Sequence, residues 1–321
     1  MRLVILGSGA IGGVVGAHLA HANRDVLLLA RGANLAAIRD AGLRCERPDD
    51  SFVVHPAVAD PREPIAWRAD DVLVVAVKTQ DVAAALRELA APPSVPIVCL
   101  TNGLEAERIA LRHAREVYGA CVVMPATYLV PGLVQVWAAP VPGLIDVGRY
   151  PDGTGDRADA IAGELIVSGF STEVYRNIMK WKRGKLLSNL ANGAEALCGP
   201  TARRSELAER ARLEGRACFA AANLSCTTDA EDATRRGDFA SRPIAGATRG
   251  GGSTWQSLAR GHAALETDYL NGEIALLGRL HGVPTPINEA LQRIANEAAR
   301  AGLAPGSMSL DELNARVLGN A

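Results

Sequence analysis

The chain has 321 residues, of which 48% are hydrophobic and 21% charged, and its formal net charge at pH 7 is −1. This length suits two domains of about 100–200 residues each, and the balanced charge gives no electrostatic reason to expect nucleic acid or an anionic membrane as a partner. No segment approaches the ~18 uninterrupted apolar residues of a membrane span. The six cysteines and the histidines show no metal-ligand spacing. We therefore expect a cytoplasmic globular protein without a metal site.

The chain begins with a short apolar strand, "LVIL" at residues 3–6, which runs directly into "GSGAIGG". Gly7, Gly9 and Gly12 form the pattern G-x-G-x-x-G. The first glycine permits a tight strand-to-helix turn, the second lets a pyrophosphate approach the backbone, and the third lets the helix pack closely on the strand. A helix ("AIGGVVGAHLAHA") and a second strand ("DVLLLA") follow, which makes a βαβ unit and argues against a signal peptide. The other residues predicted to cradle the dinucleotide are Ser8, Ala10 and Ile11.

The residue that closes the second strand predicts which dinucleotide is bound. Enzymes that use NAD place Asp or Glu there to hold the ribose hydroxyls, whereas this chain has Ala30 and Arg31. An arginine can pair with a 2′-phosphate, and the sequence places no carboxylate at this position to repel one. NADPH/NADP+ is therefore the predicted cofactor. The alternative is that Arg31 is a solvated loop residue.

Two further apolar strands end in polar residues. A strand over residues 71–77 is followed by Lys78, and the strand in "VPIVCLTNG" ends at Asn102 and Gly103. Open α/β folds bind ligands at the carboxyl edge of a parallel sheet, so we expect Lys78 and Asn102 to line the cofactor pocket. Either residue could instead merely terminate its strand.

The pattern of residue types changes near residue 117. Residues 117–156 alternate β-type runs with Pro-Gly turns, which predicts extra, partly antiparallel strands that complete the sheet. A helix in "RADAIAGELIVSG" and a last short strand in "FSTEVY" follow. We place the domain boundary at residue 178, with residues 1–178 as the dinucleotide-binding domain and residues 179–321 as a mostly helical domain.

The helical domain opens with "MKWKRGKLLSNLANG", residues 179–193. Lys185, Asn189 and Asn192 stand at positions i, i+4 and i+7, so they share one face of a continuous helix. The residues alone leave two interpretations open. This polar stripe is either a solvated face or the floor of a polar pocket.

Several motifs follow one another along the chain: the glycine pattern at Gly7, "VKTQD", "TNG", Lys-x3-Asn, a Ser/Thr-rich turn, "ETDYLNGEI" and "HGVPTPIN". In this order they resemble the ketopantoate reductase (2-dehydropantoate 2-reductase) family. The resemblance implies an α/β fold with a doubly wound Rossmann sheet, followed by an all-α domain like the C-terminal domain of 6-phosphogluconate dehydrogenase. It also implies NADPH-dependent reduction of a 2-oxo acid to a 2-hydroxy acid, with substrate and nicotinamide between the domains.

The resemblance also assigns roles to individual residues. Lys185 matches the family's catalytic lysine, Glu266 the glutamate that faces this lysine and contacts the substrate, and Asn189 a substrate-binding amide. Asn102 matches an asparagine near the nicotinamide, and Lys78 a polar position close by. Lysine is protonated at neutral pH, so Lys185 could polarise a ketone and donate the proton that the alkoxide needs after hydride transfer.

Lys182 is the rival to Lys185 for the role of the acid. It lies three residues earlier, in a basic cluster with Lys180 and Arg183. We predict that this cluster is a solvated face.

The substrate side departs from the family pattern at two places. The family's second asparagine falls where this chain has Gly193, so Asn192 either replaces it or the contact is absent. The turn before the Glu266 helix is shortened, and Ser253 or Thr254 could hold the substrate carboxylate. These departures leave room for a different oxo acid or an imine as substrate. A non-catalytic dinucleotide sensor is less favoured, because a sensor needs no acid on a pocket face. A homodimer is the assembly we consider.

Overall fold

The computed structural model describes residues 1–319, which divide into two compact units. The first unit comprises Met1–Met179 and Ala233–Arg249, and the second comprises Lys180–Asp232 and the described chain from Gly250 onward. The boundary at residue 178 stays a prediction, but residues 233–249, which the sequence assigns to the helical domain, group with the first unit. A buried ion pair explains this, because Arg235 Nε donates to Asp146 Oδ1 over 3.0 Å.

The first unit contains eleven strands among the described residues, arranged in two sheets. In chain order they are β1 (Arg2–Leu6), β2 (Val26–Leu29), β3 (Leu43–Glu46), β4 (Ser51–Val54), β5 (Ala57–Ala59), β6 (Asp71–Val75), β7 (Ile97–Cys99), β8 (Val117–Val123), β9 (Ala126–Val130), β10 (Leu133–Val136) and β11 (Leu144–Arg149). The helices of residues 1–179 that belong wholly to this unit are α1 (Ala10–His21), α2 (Gly32–Ala41), α3 (Val82–Leu89), α4 (Ala106–Ala110) and α5 (Asp156–Val167).

The larger sheet has the strand order β11-β8-β7-β6-β1-β2-β5, parallel except for β11. Read from β5 to β8, this is the doubly wound order in which the first strand lies at the switch point of the sheet. Strand β1 is completely buried, with Leu6 paired to Leu29 on one side and to Val75 on the other. The predicted Rossmann fold is therefore confirmed, and the glycine turn begins at the switch point.

Three strand predictions differ from the structure. The strands after residue 117 do not all complete one sheet, because β9 and β10 pair with β3 and β4 in a separate four-stranded sheet. The strand predicted over residues 71–77 ends at Val75, before the chain turns into a 3₁₀ turn, Thr79–Asp81. The strand predicted in "FSTEVY" is reduced to isolated bridges at Ser171 and Val174, since this segment meets β11 at only two points.

The second unit is helical over its described residues, as predicted. Its helices, with α6 starting and α9 ending in the first unit, are α6 (Ile178–Asn189), α7 (Asn192–Cys198), α8 (Glu206–Ala221), α9 (Asp229–Arg236), α10 (Ser253–Ala259), α11 (Asn271–His281), α12 (Pro286–Arg300) and α13 (Leu310–Leu318). The buried Asn271 side chain joins three of them. Its Nδ2 donates to the Leu190 carbonyl after α6 and to Asn288 Oδ1 of α12, over 3.0 and 2.9 Å. Within residues 1–319, no helix combines the length and apolarity that a membrane crossing requires.

Helix α1, which carries the glycine pattern, is fixed in part by the buried side chain of His18. Its ring lies against Phe52 and Phe170, with centroids 5.4 and 5.2 Å apart, and Nδ1 lies 3.2 Å from the Ser168 carbonyl. A carbonyl only accepts, so Nδ1 carries the proton of a neutral ring. Burial, with a smaller contribution from Arg47, lowers the pKa of His18 to about 4.

Acidification should therefore weaken the first unit through His18. As the pH falls below about 6.5, the unfolded chain takes up a proton that the folded ring resists until about pH 4, which lowers the free energy of unfolding by about 2 kcal/mol between pH 7.5 and 5. We expect His18→Gln to remove this part of the pH dependence in urea denaturation. His55→Gln, at an exposed histidine of the same unit, is the control. An unchanged pH dependence in His18→Gln would contradict the assignment.

Candidate active site

The turn between β1 and α1 needs its glycines for steric reasons. Gly7 has φ of +105°, and a Cβ on it would lie 2.8 Å from Val77 Cγ1. A Cβ on Gly12 would lie 2.0 Å from the Gly7 carbonyl oxygen, so only glycine lets the helix approach so closely. A Cβ on Gly9 would meet nothing within 4 Å. The backbone at Gly9, at the amino end of α1, therefore faces open space where an anionic group can approach.

This turn forms one wall of a cleft of about 350 Å³. The lining residues are Leu6, Gly7, Ser8, Gly9, Leu29, Ala30, Arg31, Asn34, Pro61, Val77, Asp81, Ala84, Ala85, Glu88 and Tyr128. The predicted residues Gly7, Ser8, Gly9 and Arg31 thus meet in one cleft, while Ala10, Ile11 and Gly12 continue into the first turns of α1. The volume and the open backbone at Gly9 fit the pyrophosphate and adenosine part of a dinucleotide.

The other two predicted cofactor residues lie at the ends of neighbouring strands. Lys78 follows β6 and Asn102 follows β7, and neither is among the cleft-lining residues. Thr79, completely buried beside Lys78, donates its hydroxyl to the Asn102 carbonyl over 3.0 Å. The two strand ends are therefore held together, as expected for the carboxyl edge of a parallel sheet.

A buried asparagine that the sequence analysis missed supports the glycine turn. Asn34, in the first turns of α2, donates through Nδ2 to the Ser8 carbonyl and to Ser8 Oγ, over 3.0 and 2.9 Å. Its Oδ1 accepts from the Gly132 backbone N–H over 2.9 Å. The partners in all three bonds are backbone or hydroxyl groups. Asn34 therefore fixes the conformation of Ser8 at the cleft wall.

Arg31 has a carboxylate beside it. This corrects the expectation from the sequence that no carboxylate stands at this position to repel a 2′-phosphate. Its guanidinium forms an ion pair with Glu88 of α3, and both residues line the cleft. A second pair lies next to the cleft-lining Pro61, where Arg62 binds Asp60 and holds the pKa of that carboxyl well below its usual range. The Arg31–Glu88 contact could not be predicted from the sequence, because 57 residues separate its partners.

Helix α6 answers the question of whether its polar stripe is a solvated face. Lys185 Nζ donates to Asn189 Oδ1 over 3.1 Å, one helical turn away. Asn189 is only 3% exposed, and the flanking Leu186 and Leu187 are buried. This stripe is therefore not a fully solvated face, since Asn189 is buried and Lys185 half-buried.

The basic cluster that precedes Lys185 is not the solvated face that the sequence suggested. Lys182 and Arg183 are 3% and 9% exposed. Arg183 donates to the Ser225 carbonyl, and burial lowers the pKa of its guanidinium. Only Lys180 keeps a substantial exposed fraction, and it pairs with Glu231 at 2.5 Å. The sequence pattern does not reveal this, because the partner of Arg183 lies 42 residues away along the chain.

The predicted stripe of three polar residues is broken before its last member. Helix α6 ends at Asn189, and Asn192 begins α7, so Asn192 does not continue the face of Lys185. Arg203 Nη1 donates to Asn192 Oδ1 over 2.8 Å and also binds Glu195 at 2.5 Å. Asn192 is thus part of an Arg203–Glu195 network.

The shortened Ser/Thr turn lies against the same network. A Cβ on Gly252 would come within 2.8 Å of Glu195 Oε2, and α10 begins at the next residue, Ser253. Thr254 is 2% exposed, whereas Ser253 is partly exposed. The unit therefore brings Asn192 and the start of α10 together around Glu195.

Glu266 is not the helix-surface carboxylate that its position in the sequence could suggest. It lies in a 3₁₀ turn, Glu266–Tyr269, and is 4% exposed. Its neighbour Asp268 is exposed and accepts from Gln292 Nε2 and Asn296 Nδ2 of α12, both over 2.7 Å. Among residues 1–319, histidines, cysteines and carboxylates form no group of three that could hold a metal ion.

The chain matches two models of one protein family. The model described as ketopantoate reductase PanE/ApbA covers residues 3–152, and the model of its C-terminal part covers residues 177–299. A 2-dehydropantoate 2-reductase from Mesorhizobium japonicum is 30% identical, over 93% of this chain and 98% of its own length.

Solved structures agree with this assignment. A PanE/ApbA family ketopantoate reductase from Ralstonia eutropha JMP134 is 26% identical with a TM-score of 0.77, and the match covers 94% of this chain and 99% of that one. D-mandelate dehydrogenase, solved with NADH and anilino(oxo)acetate, has a TM-score of 0.81 at 20% identity over 94% and 99% of the two chains, which shows a shared fold. The chain belongs to the ketopantoate reductase family, a family of oxidoreductase enzymes.

Proposed function

We propose that the protein is an NADPH-dependent reductase that converts ketopantoate, a 2-oxo acid, to pantoate. The single observation that carries the proposal is the bond from the half-buried Lys185 to the buried Asn189 on α6, in a chain of this family. The 2-dehydropantoate 2-reductase from Mesorhizobium japonicum, with which the chain aligns over nearly its whole length, supports the substrate. A cytoplasmic location and a homodimer remain predictions.

The dinucleotide would be held by the first unit. The open backbone at Gly9 and the amino end of α1 suit the pyrophosphate, and Arg31 suits a 2′-phosphate. Lys78 and Asn102 would lie near the nicotinamide, as the family resemblance implies. When bound, NADPH supplies the hydride for the ketone carbon.

The residues of the second unit would manage the charge that hydride transfer leaves behind. Addition of hydride to the ketone creates an alkoxide, which needs an electropositive group and a proton. The Lys185 ammonium offers both, and Asn189 Oδ1 holds it in one direction by accepting from Nζ. Glu266 would contact the substrate, and Ser253 or Thr254 would hold its carboxylate.

One observation favours a second candidate, a reductase of the same class that acts on another oxo acid. Asn192, which could replace the family's second asparagine, lies on a separate helix, and its Oδ1 accepts from Arg203. A substrate contact made differently at this point would change which side chain the pocket accepts.

The first test is oxidation of NADPH at 340 nm with ketopantoate and with a panel of other 2-oxo acids. The proposal predicts the highest kcat/KM for ketopantoate. A higher kcat/KM for another 2-oxo acid would instead support the second candidate, and nucleotide binding without turnover of any oxo acid would contradict both.

Lys185→Ala tests the assignment of the acid. We expect kcat to fall by about 10²–10⁴-fold, the usual contribution of a positioned acid, while the Kd for NADPH stays within about twofold. Lys180→Ala, which removes a partly exposed lysine of the same helix, is the matched control and should leave kcat unchanged. If a folded Lys182→Ala variant loses turnover while Lys185→Ala keeps it, Lys182 is the acid and the proposed role of Lys185 is wrong.

A further inference from the structure

Helix α3 presents one face to the cleft beside the glycine turn. The lining residues Ala84, Ala85 and Glu88 of α3, with Asp81 directly before the helix, follow the spacing i, i+3, i+4 and i+7, which places them on one side of the helix. The middle of this face carries only the small side chains of two alanines, and each end carries a carboxylate. A cleft for a dianionic ligand therefore carries negative charge on one wall.

The carboxylate of Glu88 lies at the place where dinucleotide folds distinguish their ligands. It binds the guanidinium of Arg31, the second residue after β2. Folds that bind NAD ordinarily place an acidic residue at the end of this strand, where it accepts from the ribose 2′-hydroxyl. Here the strand end supplies an arginine, and the carboxylate reaches the same point from α3.

The neighbouring carboxylate, Asp60, is already bound by Arg62. Arg62 donates to both of its oxygens, through Nε over 2.8 Å and through Nη2 over 2.5 Å, and the Arg62 backbone N–H donates to Oδ1 over 2.9 Å. Asp60 thus has three donors from its own loop. Glu88 and Arg31 are half-exposed, with 37% and 49% of their side-chain surfaces accessible, so their contact can open for a ligand.

We propose that Glu88 is a specificity-determining residue that lets the protein use NADH as well as NADPH. The inference rests on the proposed dinucleotide-dependent function and deepens it. In the NADPH complex the 2′-phosphate displaces Glu88 from Arg31 and is repelled by its carboxylate. In the NADH complex Glu88 accepts from the 2′-hydroxyl while Arg31 remains neutralised.

The size of the effect follows from the exposure of the pair. Exposed ion pairs change equilibria by about two- to fivefold, and hydrogen bonds to a charged group are stronger than neutral ones. Removing the carboxylate should therefore tighten NADPH by about threefold and weaken NADH by a similar factor. The ratio of the two dissociation constants, Kd(NADH)/Kd(NADPH), should rise by about tenfold.

The experiment is titration of the full chain with NADPH and with NADH by isothermal calorimetry. Glu88→Gln is compared with wild type and with Asp40→Asn, which removes an exposed carboxylate of α2 that does not line the cleft. Glu88→Ala serves as a second variant at the same position. We expect the ratio to rise in both Glu88 variants and to stay within twofold of wild type in Asp40→Asn.

Two outcomes would overturn the inference, and they are distinguishable. If wild type binds NADPH and both Glu88 variants keep the wild-type ratio, Glu88 does not set specificity, although the proposed function stands. If wild type binds neither nucleotide, the proposed function fails and the inference fails with it. The double variant Arg31→Gln/Glu88→Gln provides a further check, because the proposal requires the effect of Glu88→Gln on NADPH to shrink when Arg31 is absent.

Discussion

The close approach of helix α1 to strand β1 is the constraint on which the first unit depends. A side chain at Gly12 would collide with the Gly7 carbonyl, and one at Gly7 would collide with Val77. With both positions reduced to glycine, the helix begins directly above the end of the central strand and points its amino end into the cleft. Asn34 then holds Ser8, and residues of α3 line the same cleft. The shapes of the turn and of the cleft wall that it forms are thus consequences of one packing contact.

The second unit depends on a different structural feature, the break between helices α6 and α7. Because α6 stops at Asn189, the carbonyl of Leu190 becomes available to Asn271, which anchors α11 and α12 at this point. The break also turns Asn192 away from the Lys185 face and into the Arg203–Glu195 network. The Lys185–Asn189 pair and the network at Asn192 are therefore separate polar features.

The sequence predicted the elements whose signals are local. The glycine pattern, the apolar β1 and the alternation of strands and helices depend on neighbouring residues, and the α/β fold is confirmed. Contacts between distant residues could not be predicted, because periodicity carries no information about partners. Glu88 beside Arg31, Arg203 on Asn192 and Arg235 on Asp146 are of this kind. For the part of the cleft that α3 lines, the helical spacing of residues 81, 84, 85 and 88 was the one local signal in the sequence. No local signal indicated that Tyr128 lines the cleft.

The most direct test of the central claim is NADPH binding to a Gly9→Ala variant. Because an added Cβ at Gly9 meets no protein atom within 4 Å, the variant should fold with an unchanged melting temperature, yet the methyl group would occupy the approach to the helix terminus. We predict that its Kd for NADPH rises more than about tenfold, while Gly163→Ala, an equally open position in α5, binds as wild type. Wild-type affinity in a folded Gly9→Ala variant would contradict the account, because the dinucleotide would then bind elsewhere.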